Sequence, residues 1–249
     1  MSETTDFQYV IEGDDFQHVL IKLAPRGAIR AEPGSFMWME DGIEMATSTG
    51  GGLMSGIKRK ISGESFFVTT FSNAAPESRT VGFAAPTPGK ILCADLSRGT
   101  ILCQRNAYLC STTEAEISVA FTKRFGAGMF GGEGFILQKI SGTGLAFLHA
   151  SGSIIERELA AGEELRVDTG CVVAFDSAVD YDIQRMKGVK TMLFGGEGLF
   201  FTRLRGPGTI WLQTMPFSRM ADRIMSAAGG SKGEHRRGGG LLGDLLQGD

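Results

Sequence analysis

A chain of 249 residues, 42% apolar and 21% charged, is long enough for one large domain or two to three small ones with a real core. A net charge of −3 excludes a globally basic nucleic-acid binder and leaves only local patches open to that role. The 36 glycines, about twice the ordinary share, are dispersed without a collagen period and mark turns between many short elements.

The N-terminal "MSETTDFQYVIEGDD" is acidic. It has neither the apolar core of a secretory signal nor the Arg-rich pattern of a transit peptide. No run approaches the ~18 apolar residues of a membrane helix, so a cytoplasmic protein is expected. A first β-rich unit is assigned to residues 1–82. In "LAPRGAIRAEPGSFMWM" (23–39) a Leu precedes a turn at Gly27, and a second turn at Gly34 opens another apolar strand. "GGGLMSGIKRK" follows, and "SGESFFVTTFSN" (62–73) reads as a turn and a strand rich in aromatic and β-branched residues.

A second unit, 83–150, repeats the order. "LSRGTILCQRNAYLC" (96–110) carries its turns at Gly99 and Asn106, and Asn suggests a left-handed backbone position. "FGGEGFILQKISGTGLAFL" (130–148) supplies turn, strand, turn and strand. A third unit, 151–216, has "LAAGEELRVDTGCVV" (159–173), with turns at Gly162 and Gly170, and "FGGEGLFFTRLRGPGTIWL" (194–212). From the first turn to the Glu of the later turn the distances are 37, 34 and 35 residues (Gly27 to Glu64, Gly99 to Glu133, Gly162 to Glu197). Two landmarks in step predict three tandem, all-β, sandwich-like repeats sharing a core. Pro216, a capping Ser218, and Met220, Ile224 and Ala228 at helical spacing predict a short C-terminal helix over 217–230. Residues 231–249 read as a flexible Gly-rich tail, whose "LLGDLLQGD" has one apolar helical face suited to docking.

"AEPGSFMWM", "GGGLMSGIKRKISGESFF" (50–67) and the "FGGEG" copies resemble the altered-inheritance-of-mitochondria protein 24 family, over about residues 6–216. The resemblance implies three tandem short double-stranded β-helix domains in a pseudo-threefold arrangement, similar in fold to the tryptophan RNA-binding attenuation protein. It also implies a homotrimer, with nine units in a ring. It supplies no catalytic residues. The link of a yeast relative to mitochondrial inner-membrane organisation does not transfer to a chain read as lacking a transit peptide.

The Gly-Glu turns (Gly63, Glu64; Gly132, Glu133, Gly134; Gly196, Glu197, Gly198) lack the Gly-Lys-Ser/Thr ending and following helix of a phosphate loop, and their Glu repels phosphate. They read as structural turns. Just ahead of them, basic residues accompany apolar ones: Leu53, Met54, Lys58, Arg59 and Lys60; Lys123, Arg124, Met129 and Phe130; Lys187, Lys190, Met192, Leu193 and Phe194. These are candidate loops for a partner, an anionic membrane surface or, less favoured, nucleic acid, with packing at an interface as the plainer reading. Cys93, Cys103, Cys110 and Cys171 lack metal-site spacing and read as reduced buried thiols, and His18, His149 and His235 form no metal motif. No Gly-x-Ser-x-Gly elbow occurs. The expectation is therefore a non-enzymatic, homotrimeric scaffold or adaptor without cofactor or metal. A nucleic-acid-binding ring and an enzyme on a cupin-like scaffold are the alternatives.

Overall fold

The computed structural model describes residues 7–49, 67–123, 135–185 and 200–229. Within them the chain is predominantly β, folded as antiparallel sheets, with one short α-helix at the C-terminal end. The first sheet has the order β1 (Gln8–Glu12), β2 (His18–Leu23), β7 (Arg79–Ala84), β4 (Phe36–Met39). The second runs β5 (Ile43–Thr49), β6 (Phe67–Asn73), β3 (Ala28–Ala31), β10 (Tyr108–Thr112), β13 (Leu145–Ser151), β8 (Gly89–Asp95). The third runs β11 (Ala115–Lys123), β12 (Phe135–Gly142), β9 (Ile101–Gln104), β16 (Val172–Asp176), β19 (Gly208–Gln213), β14 (Ile154–Leu159). The fourth has β15 (Glu164–Asp168), β18 (Phe200–Arg205) and β17 (Asp180–Arg185).

Alternating strands such as β2 bury one face, whereas β9, β10 and β16 of the two inner sheets are buried along nearly their whole length, one face to each neighbouring core. One cluster joins Val19, Ile21 and Phe83 of the first sheet to Ile29, Phe71 and Phe147 of the second. The next joins Tyr108 and Leu148 of the second to Cys103, Ile140 and Ala174 of the third. The last joins Leu137, Phe175 and Ile210 of the third to Val167, Ile183 and Leu204 of the fourth. Four sheets thus enclose three successive cores. Burial holds the thiols protonated: it pushes Cys103 up to about 12 and raises Cys93, Cys110 and Cys171.

The landmark turns need one correction. Gly34, Asn106 and Gly170 lie in 3₁₀ turns, and none has a positive φ. The left-handed region is used instead at the preceding turns, by Arg26 (φ 65°), Gly99 (φ 148°) and Gly162 (φ 80°). The second turns need a tight 3₁₀ reversal, which any small or polar residue can make. The helix α1 covers Phe217–Gly229. It is held to β15 by the Arg219–Asp168 ion pair at 2.6 Å, and it leaves Ile224 and Met225 exposed rather than packed.

Candidate binding cavity and open sheet edges

The sequence pointed to the turns at Gly63, Glu64, Gly132, Glu133, Gly134, Gly196, Glu197 and Gly198. It also pointed to Leu53, Met54, Lys58, Arg59, Lys60, Arg124, Met129, Phe130, Lys187, Lys190, Leu193 and Phe194. All of these lie outside the described residues. Lys123 closes β11, its backbone paired with Phe135, and its side chain is likewise outside the description. The strands flanking the three segments are described. β5 pairs with β6 up to Thr49↔Phe67, β11 with β12 up to Lys123↔Phe135, and β17 with β18 up to Arg185↔Phe200. Each segment therefore connects two paired antiparallel strands.

At the same end of these sheets lies a cavity of about 320 Å³. Its wall is built from the link between β7 and β8, the ends of β9, β13 and β19, and the start of α1. Much of the polar wall is already satisfied. Thr87 and Ser151 share a hydroxyl hydrogen bond of 2.8 Å. The Ser151 amide donates to Gln213 Oε1 at 2.9 Å, and Gln213 Nε2 donates to the Gly170 carbonyl at 2.8 Å. The Gly170 amide in turn donates to Asp168 Oδ1 at 2.9 Å, while Asp168 Oδ2 accepts from Arg219 at 2.6 Å. This chain of bonds fixes the mouth of the cavity to the first turn of α1.

Two wall residues stand apart. His149 is 4% exposed, and burial lowers its pKa to about 4 against a hydrogen bond to the Thr87 backbone. The ring is thus neutral at physiological pH, and its Nε2 has no partner. Gly89 backs the ring: a Cβ there would sit 2.6 Å from Nε2 and within 2.1 Å of the Ala150 carbonyl oxygen, so the approach admits only glycine. Gln104 is 8% exposed, and its carboxamide makes no hydrogen bond to cap the 3₁₀ turn that follows it. No pattern in the sequence marked these two as a pair. The available signal was a lone polar residue ending each of two apolar runs, "ILCQ" and "LAFLH". Among the described residues no three His, Cys, Asp or Glu side chains gather as a metal site, and no helix is long and apolar enough to cross a membrane.

The second notable feature is at the edges. β3 pairs with β10 (Ala31↔Cys110, Arg30↔Ser111), and β9 pairs with β16 (Cys103↔Ala174, Leu102↔Phe175). These two ladders join successive sandwiches. Each sheet ends in two edge strands, among them β4 in the first sheet and β15 in the fourth. On β4, Met37 is 47% and Trp38 is 38% exposed. Such apolar side chains on an open ladder invite strand addition.

Comparison with known proteins places the chain. The uncharacterised protein M6_Spy0233 of Streptococcus pyogenes serotype M6 is 27% identical over 217 residues, 84% of this chain and 86% of that protein. The crystal structure of protein SPYM3_0169 from Streptococcus pyogenes is similar in fold, with a TM-score of 0.71 and 26% identity, covering 89% of this chain and 99% of the other. A family model described as mitochondrial biogenesis AIM24 matches residues 9–215. With its all-β sandwiches inside those bounds, the chain belongs to the AIM24 family.

Proposed function

We propose that the protein is a non-enzymatic, ring-forming scaffold, in which three copies of one β-unit per chain join head to tail and three chains close the ring. The reading of three units is supported by their ladders. In the first unit β2 and β4 both pair with β7, while β3 and β5 both pair with β6. In the second, β8 and β10 pair with β13, and β9 and β11 pair with β12. In the third, β14 and β16 pair with β19, and β15 and β17 pair with β18. A register shift recurs at one place in each unit, between Phe36 and Trp38, Tyr108 and Cys110, and Val172 and Ala174. Bulges are specific enough to serve as markers of equivalent positions.

That equivalence carries the argument for assembly. Met37 and Trp38 correspond to Leu109 and Cys110 in the second unit and to Val173 and Ala174 in the third. The second- and third-unit residues are all at most 2% exposed, each pair lying against the core of the unit before. Only in the first unit are they open. The vacant counterpart is β15, whose Val167 corresponds to Ala31 and Cys103. The register of the internal joints predicts Val167↔Trp38 and Arg166↔Met39 between chains. Such a head-to-tail contact is heterologous and closes into a ring when the rotation allows.

In this reading the hairpins β5–β6, β11–β12 and β17–β18 enter their connecting segments at one end of the sheets, and the basic and apolar residues of those segments are the scaffold's contacts with a protein partner or an anionic surface. Sedimentation equilibrium tests the assembly. A mass of three chains at micromolar concentration is expected; a monomer at that concentration would overturn the reading.

A further inference from the structure

We infer that the cavity walled by Gln104, His149 and the start of α1 is a binding site for a small, uncharged, planar heterocycle that presents a hydrogen-bond donor and acceptor side by side, as a nucleobase or lactam edge does. The size is that of a small-molecule site: about 320 Å³ stands at the lower end of the range for ligand pockets. The chemistry follows from what lines it. No Lys, Arg, Asp or Glu faces the cavity among the described residues, so a charged ligand would be desolvated there without compensation. Pro86, Pro216 and Phe217 supply apolar surface for a flat body. Phe217 is 52% exposed, at the edge where α1 begins.

The polar recognition group is Gln104. The residues in its position, immediately ahead of the 3₁₀ turns Pro33–Ser35 and Thr169–Cys171, are Glu32 and Asp168. Asp168 is committed to the Gly170 amide and to Arg219. At the middle turn an uncharged carboxamide replaces the carboxylate, on a residue 8% exposed that makes no capping bond to the turn and lines the cavity. A carboxamide offers one donor and one acceptor in a plane, which a heterocycle with the complementary edge satisfies with two bonds. A carboxamide that the turn leaves uncapped is open to a ligand that pairs it. His149, neutral above about pH 5 because its pKa stands near 4, adds a wall that attracts neither anions nor cations.

All lining residues belong to one chain, so the site does not rest on ring formation and survives its failure. The test is saturation-transfer NMR and calorimetry on the full chain with four probes: adenine, 2-piperidone, N-methyl-2-piperidone and benzoate. Adenine and 2-piperidone should bind, with an affinity constant between pH 6 and 8. N-methyl-2-piperidone, which lacks the N–H, and benzoate, which is charged, should bind at least tenfold more weakly. Gln104→Leu should weaken adenine at least tenfold while circular dichroism stays unchanged. Phe217→Ala, at the rim, should weaken both binders severalfold and keeps the proposal testable should Gln104→Leu misfold. No binding by adenine or 2-piperidone would overturn the assignment. Equal binding of the methylated probe, or unchanged affinity in Gln104→Leu, would overturn it as well.

Discussion

In the proposed three-unit reading, the joints β3–β10 and β9–β16 and the edge strand β4 are made from corresponding strands, yet they differ in burial. At the joints β3–β10 and β9–β16, Leu109, Cys110, Val173 and Ala174 are buried against a core that the neighbouring unit completes. At the edge β4, Met37 and Trp38 occupy the same place and face outward. Residue size follows the partner available. The internal joints hold Leu109, Cys110, Val173 and Ala174 against a fixed neighbour, whereas the edge presents the larger Met37 and Trp38, the side chains that the proposed assembly would use as anchors. On the proposed reading, a joint and an interface are one device, and β4 is a joint whose partner strand comes from another chain.

Substitutions can break this comparison at either end. Inside a joint, Cys103→Asp would place an unpaired carboxylate in a site with 0% exposure. The expected cost is more than about 4 kcal/mol, enough to prevent folding as read by circular dichroism and solubility. At the edge, Trp38→Lys should leave the fold intact and weaken assembly instead. Loss of one aromatic anchor at about 2 kcal/mol per contact predicts at least a tenfold rise in the concentration needed for association, measured by sedimentation. If Trp38→Lys unfolds the chain and leaves assembly unaltered, edge and joint are not equivalent.

A third prediction concerns the cavity walled by Gln104, His149 and the start of α1. The pKa of His149 is depressed by burial, so the unfolded chain binds its proton more readily than the folded one. The stabilisation is present above the unfolded value of 6.5 and is lost as pH falls toward about 4. Urea titrations between pH 7 and pH 4 should show a steeper loss for the native protein than for His149→Gln; parallel curves would deny the buried neutral imidazole. The smallest effect is expected at the helix. Arg219→Ala removes a partly exposed ion pair with Asp168, and the cost should stay below about 1 kcal/mol while hydrogen exchange in α1 rises.

Much of the architecture was legible in the sequence because period and punctuation are local. "FFVTTF", "FILQKI" and "FFTRL" gave strands where β6, β12 and β18 lie, and Pro216 with Ser218 marked the helix start within a residue. The joints were not legible. β3–β10 and β9–β16 pair residues more than seventy positions apart, across what the sequence reads as unit boundaries. The left-handed backbone assigned to Asn106 was misplaced because Gly and Asn serve tight 3₁₀ turns as readily as positive φ. The cavity escaped for a related reason. Thr87, Gln104, His149, Ser151 and Gln213 come from separate strand ends and links, and no spacing rule joins them. The Gly-Glu turns drew notice because they repeat, whereas the cavity rests on positions where the units differ, Gln104 against Glu32 and Asp168.

The most direct test of the edge-as-interface account is oxidative cross-linking of the paired variant Met39→Cys/Arg166→Cys. If the proposed assembly repeats the register of Arg30↔Ser111 and Leu102↔Phe175, these two positions stand opposite each other on neighbouring chains. A covalent species of three chains, with nothing larger, is the result the account predicts on a non-reducing gel. Failure to cross-link while the protein sediments as an assembly would contradict it, because the chains would then be meeting through some other surface.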